Sequence, residues 1–310
     1  MKTAIGVDIG GTKTNVGLIG EDGEIIDLLS FATSYSRPVK LKEDILDYIE
    51  KIINKNEDPV CGVGIASAGR VDYQKKQVVY ATDNLVDWAR VPIVKETSEK
   101  FKLPVFLDND VNAALNCELQ WGDFSEKQMV IFLTIGTGLG GAVAHRGEII
   151  RGRTGSAGEF GHMILYPRGR DCSCGKQGCA EQYISGPAYR RRLKKSFRRE
   201  NIRPGKELLT TEVIAQNIRN KNEPYYAVFL DMLTDLVYLL ESLKNCLDYE
   251  VCVIGGGFSE YGALILHNIE EKFRNYNHKY SRRPEFVISR EKNRSGVIGA
   301  GLMAIKEIEK

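Results

Sequence analysis

Apolar and polar positions follow a changing rhythm along the chain, and that rhythm predicts its elements. Residues 3–8 form a short apolar run that Gly10 and Gly11 interrupt. Residues 15–19 are apolar again, and Glu21-Asp22-Gly23 reads as a hairpin turn. A third strand begins at Gly23-Glu24-Ile25-Ile26. Apolar residues at 41, 45, 46, 49, 52 and 53 carry a helical period, which predicts a helix over 41–53. Residues 60–65 and 104–107 read as strands, and 111–119 as a helix. The opening pattern then returns. Residues 129–135 are an apolar strand, 136–141 a glycine-rich turn, and 142–144 resume the strand. Gly147-Glu148-Ile149-Ile150 repeats Gly23-Glu24-Ile25-Ile26. Helical patterns follow near 187–199 and 226–247. A strand at 251–254 ends in Gly255-Gly256-Gly257, and 296–308 closes the chain as a helix with a face of Gly296, Gly299, Ala300, Gly301 and Ala304. One duplicated strand–turn–strand unit implies an α/β protein of two related domains.

The length of 310 residues fits two domains. A hydrophobic fraction of 43% supports packed cores, and a formal charge of +2 gives no general case for a nucleic-acid or acidic-membrane partner. No apolar run approaches the roughly 20 residues that a membrane helix needs. Asp8 and Lys13 interrupt any apolar leader core, so a cytoplasmic protein is expected. That compartment and an odd count of 7 cysteines argue against a disulfide framework.

Gly136, Gly138 and Gly141 fit G-x-G-x-x-G, the dinucleotide-binding fingerprint. That fingerprint needs a helix directly after it, and residues 142–147 read as strand and turn instead. No Walker A sequence occurs. A glycine turn between antiparallel strands can still bind phosphate, because its N–H groups can converge on one anion. Around the first turn, Asp8 offers a carboxylate to a hydrated Mg²⁺, and Thr12 and Lys13 offer a hydroxyl and an ammonium to phosphate oxygens. A tight hairpin with incidental polar residues is the alternative, and the recurrence of the turn speaks against it.

His162, Cys172, Cys174 and Cys179 have the spacing H-x₉-C-x-C-x₄-C. Cys172 and Cys174 lie on one side of an extended segment, and Gly175 and Gly178 let the backbone return so that Cys179 reaches the same point. One imidazole and three thiolates suit a closed, structural tetrahedral Zn²⁺ site. Such a site would order the flanking Glu159, His162 and Glu181 rather than act as a Lewis acid.

Residues 8–13, 134–141 and 253–257 resemble the two phosphate motifs and the adenosine motif of the sugar kinase/actin/Hsp70 superfamily. Within it the chain resembles the ROK family over nearly its whole length, most closely the family's bacterial glucokinases. The zinc motif matches residue for residue. The resemblance implies two duplicated ribonuclease-H-like (actin-like ATPase) domains with an interdomain cleft for ATP and sugar. One is expected at 1–116 with the returning helix 296–310, the other at 117–295.

The resemblance also implies roles. Asp8, Gly10, Gly11, Thr12, Lys13, Thr134, Gly136, Thr137, Gly138, Gly255, Gly256 and Gly257 would serve ATP. Asp8 would hold a hydrated Mg²⁺. Asp110 would be the general base toward the attacking sugar hydroxyl, with Asp108 a rival two residues away. Gly69, Asn84, Asn109, Asp110, Glu159, His162 and Glu181 would bind sugar, His162 through its metal-free nitrogen. Without the resemblance, the N-cap of the helix at 111–119 is the favoured reading of Asp110, and the resemblance reverses that preference. Residues 62–72 resemble a further sugar-side segment, although no proline stands at 66–67 as it often does in the family. Trp88, in a segment resembling one that lines the cleft, reads as a core residue.

Arg190–Arg199 carries 7 cations in ten positions. It reads as a solvated helix face rather than a polyanion site. The expectation is an ATP-dependent hexose kinase, glucose first, that closes around the sugar and excludes water. N-acetylmannosamine, N-acetylglucosamine or fructose kinases are the near alternatives, and a non-catalytic sugar-sensing regulator the distant one. With Asp8 eight residues from the start, no DNA-binding segment is expected before the first phosphate motif. A homodimer is expected from the family, and no nucleic-acid or membrane partner.

Overall fold

The computed structural model describes residues 1–310 except 35, 82–84, 123, 125, 275–281, 292 and 293. β1 (Thr3–Ile9), β2 (Lys13–Gly20) and β3 (Ile25–Ala32) form the expected hairpin series, and α1 (Pro38–Lys55) leads to β4 (Val60–Ser67). A small hairpin of β5 (Arg70–Asp72) and β6 (Gln77–Tyr80) precedes α2 (Ile93–Phe101), β7 (Val105–Asn109) and α3 (Asp110–Trp121). The plan then repeats with β8 (Met129–Ile135), β9 (Leu139–His145) and β10 (Glu148–Ile149). A long excursion carries α4 (Gly186–Arg199), α5 (Thr211–Arg219) and α6 (Tyr225–Leu247). β11 (Val251–Gly255), α7 (Gly262–Arg274), β12 (Glu285–Ile288) and α8 (Ser295–Ile308) complete the order. Strand β9 starts three residues earlier than expected, at Leu139, so no helix follows the glycines 136–141 and the dinucleotide fingerprint is excluded.

The duplication is visible in the sheets. One has the order β3-β2-β1-β4-β7 and the other β10-β9-β8-β11-β12. In the first, β1 is antiparallel to β2 and parallel to β4, and β4 is parallel to β7. In the second, β8 is parallel to β11, and β11 to β12.

Two compact units emerge. Unit 1 comprises residues 1–127, 142–158 and 293–310, and unit 2 comprises 128–141 and 159–292. In unit 1, Leu41, Ile45, Ile49 and Ile52 of α1 are buried, as their period requires. Each such side chain stabilises the fold by about 1.5–3 kcal/mol through burial. They pack with Ile5, Val7, Val63 and Ile65 of the sheet, and Trp88 joins this core at 1% exposure. The other face of the sheet meets α8 at unusually close range. A Cβ at Gly6 would stand 2.0 Å from the Val297 carbonyl, and one at Gly64 would stand 1.8 Å from that of Ala300. The small-residue face of α8 therefore does what its sequence suggests.

In unit 2, α4 begins at the N-cap Ser185, whose side chain accepts the Ala188 N–H, and buries Ala188, Tyr189, Leu193 and Phe197. The basic run on this helix divides in two. Arg190 donates to the Leu209 carbonyl and Thr211 hydroxyl, Arg191 to Gln182, and Arg192 to the nearly buried Asp235. Arg191, Lys194, Lys195, Arg198 and Arg199 are exposed, as expected for the run, while Arg190 and Arg192 are half-buried. Among the described residues, no helix is long and apolar enough to cross a membrane.

Candidate active site

In unit 1 the carboxyl ends of three parallel strands lie side by side. The register aligns Asp8 with Ala66 and Asp108, and Ile9 with Ser67 and Asn109. Ligands of open α/β sheets bind at such an edge. The first glycine turn closes when the Gly10 N–H donates to the Lys13 carbonyl at 3.2 Å. Thr33, buried at the end of β3, secures it. Its N–H donates to the Thr12 carbonyl at 3.0 Å and its hydroxyl to the Gly10 carbonyl at 2.8 Å. Thr12 and Lys13 are left exposed.

Asp8 is the most perturbed acid of this edge. Burial pushes its pKa up to about 7, the Asp110 carboxylate adds to the rise, and a hydrogen bond with Asn15 opposes it. The carboxylate lies against the first turn of α8, where a Cβ at Gly296 would come within 2.7 Å of it. Gly296 is thus the residue that admits Asp8 to the helix end.

β7 delivers three polar side chains in succession, and each has a different task. Asp108 is 3% exposed. It accepts Arg151 Nε at 2.7 Å and Asn112 Nδ2 at 2.8 Å. The Arg151 guanidinium in turn lies 3.8 Å from the centre of the Tyr73 ring. Asn109, not Asp110, caps α3. Its side-chain oxygen accepts the N–H groups of Val111 and Asn112 at 2.9 and 3.2 Å. Its amide donates to the Gly69 carbonyl at 2.9 Å and to Asp110 Oδ1 at 2.8 Å. The backbone explains the assignment: Asn109 is extended, with φ −68° and ψ 147°, whereas Asp110 is already the first helical residue. Asp110 Oδ1 thus accepts the Asn109 amide and shares the Val111 N–H, at 3.1 Å, with the capping oxygen of Asn109. Asn84 lies outside the described residues.

In unit 2 the glycine motifs end two adjacent parallel strands. Gly255 of β11 pairs with Thr134 of β8. A Cβ at Gly256 would stand 2.7 Å from Thr134 Oγ1, and one at Gly136 3.9 Å from the Gly257 nitrogen. The turn 136–138 closes through the Gly136 N–H to the Gly138 carbonyl at 3.0 Å. Gly10, Gly136 and Gly138 do not adopt left-handed backbone, so their use here is the missing side chain rather than positive φ. Thr137 is exposed.

The four expected metal ligands converge. One donor atom from each of His162, Cys172, Cys174 and Cys179 lies within 4.8 Å of all the others. Cys174 Sγ is 3.6 Å from Cys179 Sγ, and Cys172 Sγ is 3.7 Å from His162 Nδ1. Tetrahedral zinc with Zn–S near 2.3 Å and Zn–N near 2.0–2.1 Å requires S···S of about 3.8 Å and S···N of about 3.6 Å. The residues fit the ion. Gly175 and Gly178 make the return with φ +85° and +80°, and a Cβ at Gly178 would strike the Tyr166 carbonyl. Burial, reinforced by Cys174 and Cys172, pushes the Cys179 thiol up to about 12. A dication at this point reverses that cost by favouring the thiolates.

Glu159 precedes the short 3₁₀ turn Phe160–His162, and the His162 N–H returns to its carbonyl at 3.1 Å. With Nδ1 toward Cys172, the ring nitrogen turned from the thiol is Nε2. Glu159 is exposed, at the N-cap position of this turn. Glu181 follows a different course: its carboxylate accepts the Leu139 N–H at 3.0 Å, in the second glycine turn. The knuckle is braced from behind. The Arg170 N–H donates to the Tyr183 hydroxyl at 2.9 Å, and the Tyr166 hydroxyl reaches Asp235, the same carboxylate that holds Arg192. Sequence reasoning missed Thr33, Asn15 and Arg151, none of which sits in a recognisable motif.

The comparisons agree with this geometry. The model of the ROK family matches residues 4–307. A glucokinase of Streptomyces coelicolor is 32% identical, covering 98% of this chain and 98% of its own. A glucokinase of Thermotoga maritima is 31% identical, covering 88% and 87% respectively. Among solved structures, a ROK family glucokinase from Streptomyces griseus in complex with glucose and AMPPNP superposes with a TM-score of 0.83 at 30% identity. That match covers 98% of this chain and 99% of the other.

Proposed function

This chain belongs to the ROK family and has its actin-like α/β fold, and on that premise we propose that it transfers the γ-phosphoryl group of ATP to a hexose, glucose first. The observation that carries this reading is the division of labour at the end of β7. Asp108 is held by Arg151 and Asn109 caps α3, while Asp110, oriented by the Asn109 amide and the Val111 N–H, is the carboxylate we assign as the base.

In this reading Asp110 accepts the proton of the attacking sugar hydroxyl as the O–P bond forms, and the leaving group is ADP. Most of the catalysis is alignment and charge stabilisation, so the fixed rotamer of Asp110 matters as much as its basicity. Asn109 serves the sugar by exchanging one of its amide contacts for a hydroxyl. Glu159, Glu181 and the Nε2 of His162 accept or donate to further hydroxyls, a task suited to carboxylates because each can accept several hydrogen bonds. Gly69 and Asn84 complete the sugar set. The glycine turns, with Thr12, Lys13, Thr134 and Thr137, and the glycines 255–257 receive the nucleotide.

Asp8 would hold a hydrated Mg²⁺, which neutralises phosphate charge when bound. His162, Cys172, Cys174 and Cys179 would hold zinc as a structural ion that orders the loop carrying Glu159. A cytoplasmic homodimer remains part of the same reading.

The test is a coupled ADP-release assay with purified protein, ATP, Mg²⁺ and a panel of glucose, fructose, mannose, N-acetylglucosamine and N-acetylmannosamine. Specificity constants rank the sugars, with glucose expected highest. An absence of sugar-dependent ADP release across the whole panel contradicts the kinase reading and leaves the sugar-sensing regulator.

A further inference from the structure

The second glycine turn is gripped by the segments that flank the cysteine knuckle. Leu139 donates its N–H to Glu181 at 3.0 Å. A Cβ at Gly138 would stand 2.5 Å from the same carboxylate oxygen, so the approach depends on glycine there. The Gly136 carbonyl accepts the Gly186 N–H at 2.8 Å. The Leu139 carbonyl lies so near Gly161 that a Cβ there would come within 2.0 Å. Residues 161, 181 and 186 thus hold the turn from three sides.

The contact with Glu181 has a specific mechanical effect. The N–H of Leu139 and the C=O of Gly138 belong to one planar peptide unit and point in opposite directions. Drawing that N–H toward Glu181 aims the Gly138 carbonyl the other way. There it accepts the Gly136 N–H at 3.0 Å, the bond that closes the turn. Orientation of a single peptide plane therefore determines the shape of the whole turn. Glu181 itself lies in the short 3₁₀ segment Ala180–Gln182, two residues after Cys179.

We propose that Glu181 is a positioning residue for nucleotide binding, holding the Gly138–Leu139 peptide plane so that the second glycine turn keeps its phosphate-receiving form. This role is additional to any contact with sugar, and it rests on the reading that the turn receives nucleotide phosphate. A carboxylate suits the task because its charge strengthens the bond from a backbone N–H.

The experiment compares the full chain as wild type, Glu181→Ala and Glu181→Gln. The readouts are amide hydrogen exchange at Leu139, Mg·ADP affinity by calorimetry without sugar, and glucose affinity. Loss of a charge-assisted hydrogen bond predicts Leu139 exchange at least about tenfold faster in Glu181→Ala, and Mg·ADP binding about tenfold weaker. Glu181→Gln keeps an acceptor oxygen and is expected to retain both within about threefold. Should Glu181→Ala fail to fold, Glu181→Asp replaces it with the same expectations, since it withdraws the carboxylate by one methylene. If Glu181→Ala alters glucose affinity alone, with Leu139 exchange and Mg·ADP affinity at wild-type values, the proposal is overturned. If wild type binds no Mg·ADP, the kinase reading fails separately. Leu139 exchange then decides whether Glu181 holds the turn, and unchanged exchange overturns the positioning role too.

Discussion

Arg151 holds Asp108 through a 2.7 Å bond from Nε, with side-chain exposures of 20% and 4%. The guanidinium is stacked on Tyr73. This pair separates two acids that lie two residues apart and look alike in the sequence. Asp108 is tied to Arg151 and Asn112, whereas Asp110 accepts the Asn109 amide and the Val111 N–H. Replacing Arg151 by Ala strands a buried carboxylate, which should lower stability by about 3 kcal/mol. Urea denaturation of R151A measures it. An unchanged midpoint and slope contradict the structural role.

Asp8 gives a pH signature. Its pKa in the folded protein is about 7, raised from an ordinary 3.8 chiefly by burial. Between these values the folded state binds more protons than the unfolded one, so this group makes stability fall as pH rises through the window. Replacing Asp8 by Asn removes the effect. In metal-free buffer D8N should gain on wild type as pH rises from 4 to 8, by an order of 2–4 kcal/mol at the top. Denaturation midpoints at four or five pH values check this, and a difference independent of pH contradicts it.

Much of the fold is legible in the sequence because its strongest elements are locally determined. The hairpin turns around Gly23 and Gly147, the helical period of α1 and the apolar runs of β1 and β8 need no distant partner to be recognised. The knuckle is equally legible, since three thiols and two glycines crowd into one short stretch. Other features depend on contacts that a linear reading does not contain. Asp108 and Arg151 are 43 residues apart, and nothing in either neighbourhood names the other. Thr33 secures the first glycine turn from the far end of β3. β12 is only four residues long, and its pairing partner β11 lies some thirty residues earlier in the chain. The N-cap of α3 falls on Asn109 rather than Asp110, a shift of one position that depends on where the strand's extended backbone ends. The arginines of α4 look like a solvated run, yet Arg190, Arg191 and Arg192 find acceptors on neighbouring segments.

The knuckle predicts a metal content. Protein purified without chelator should carry about one zinc per chain by elemental analysis. Cys172→Ser should reduce that content and weaken sugar binding by roughly tenfold, because the ligands order the loop bearing Glu159. Full zinc content in the variant contradicts the ligand assignment, and unaltered sugar affinity after zinc loss contradicts the ordering role.

The most direct measurement is single-turnover phosphoryl transfer to glucose by Asp110→Asn, with folding and sugar affinity verified on the same preparation. The amide keeps the size of the side chain and loses the proton acceptor. The rate should fall by roughly 10²–10⁴-fold while glucose still binds. A rate within about threefold of wild type would show that the base lies elsewhere, and the assignment built on the end of β7 would be wrong.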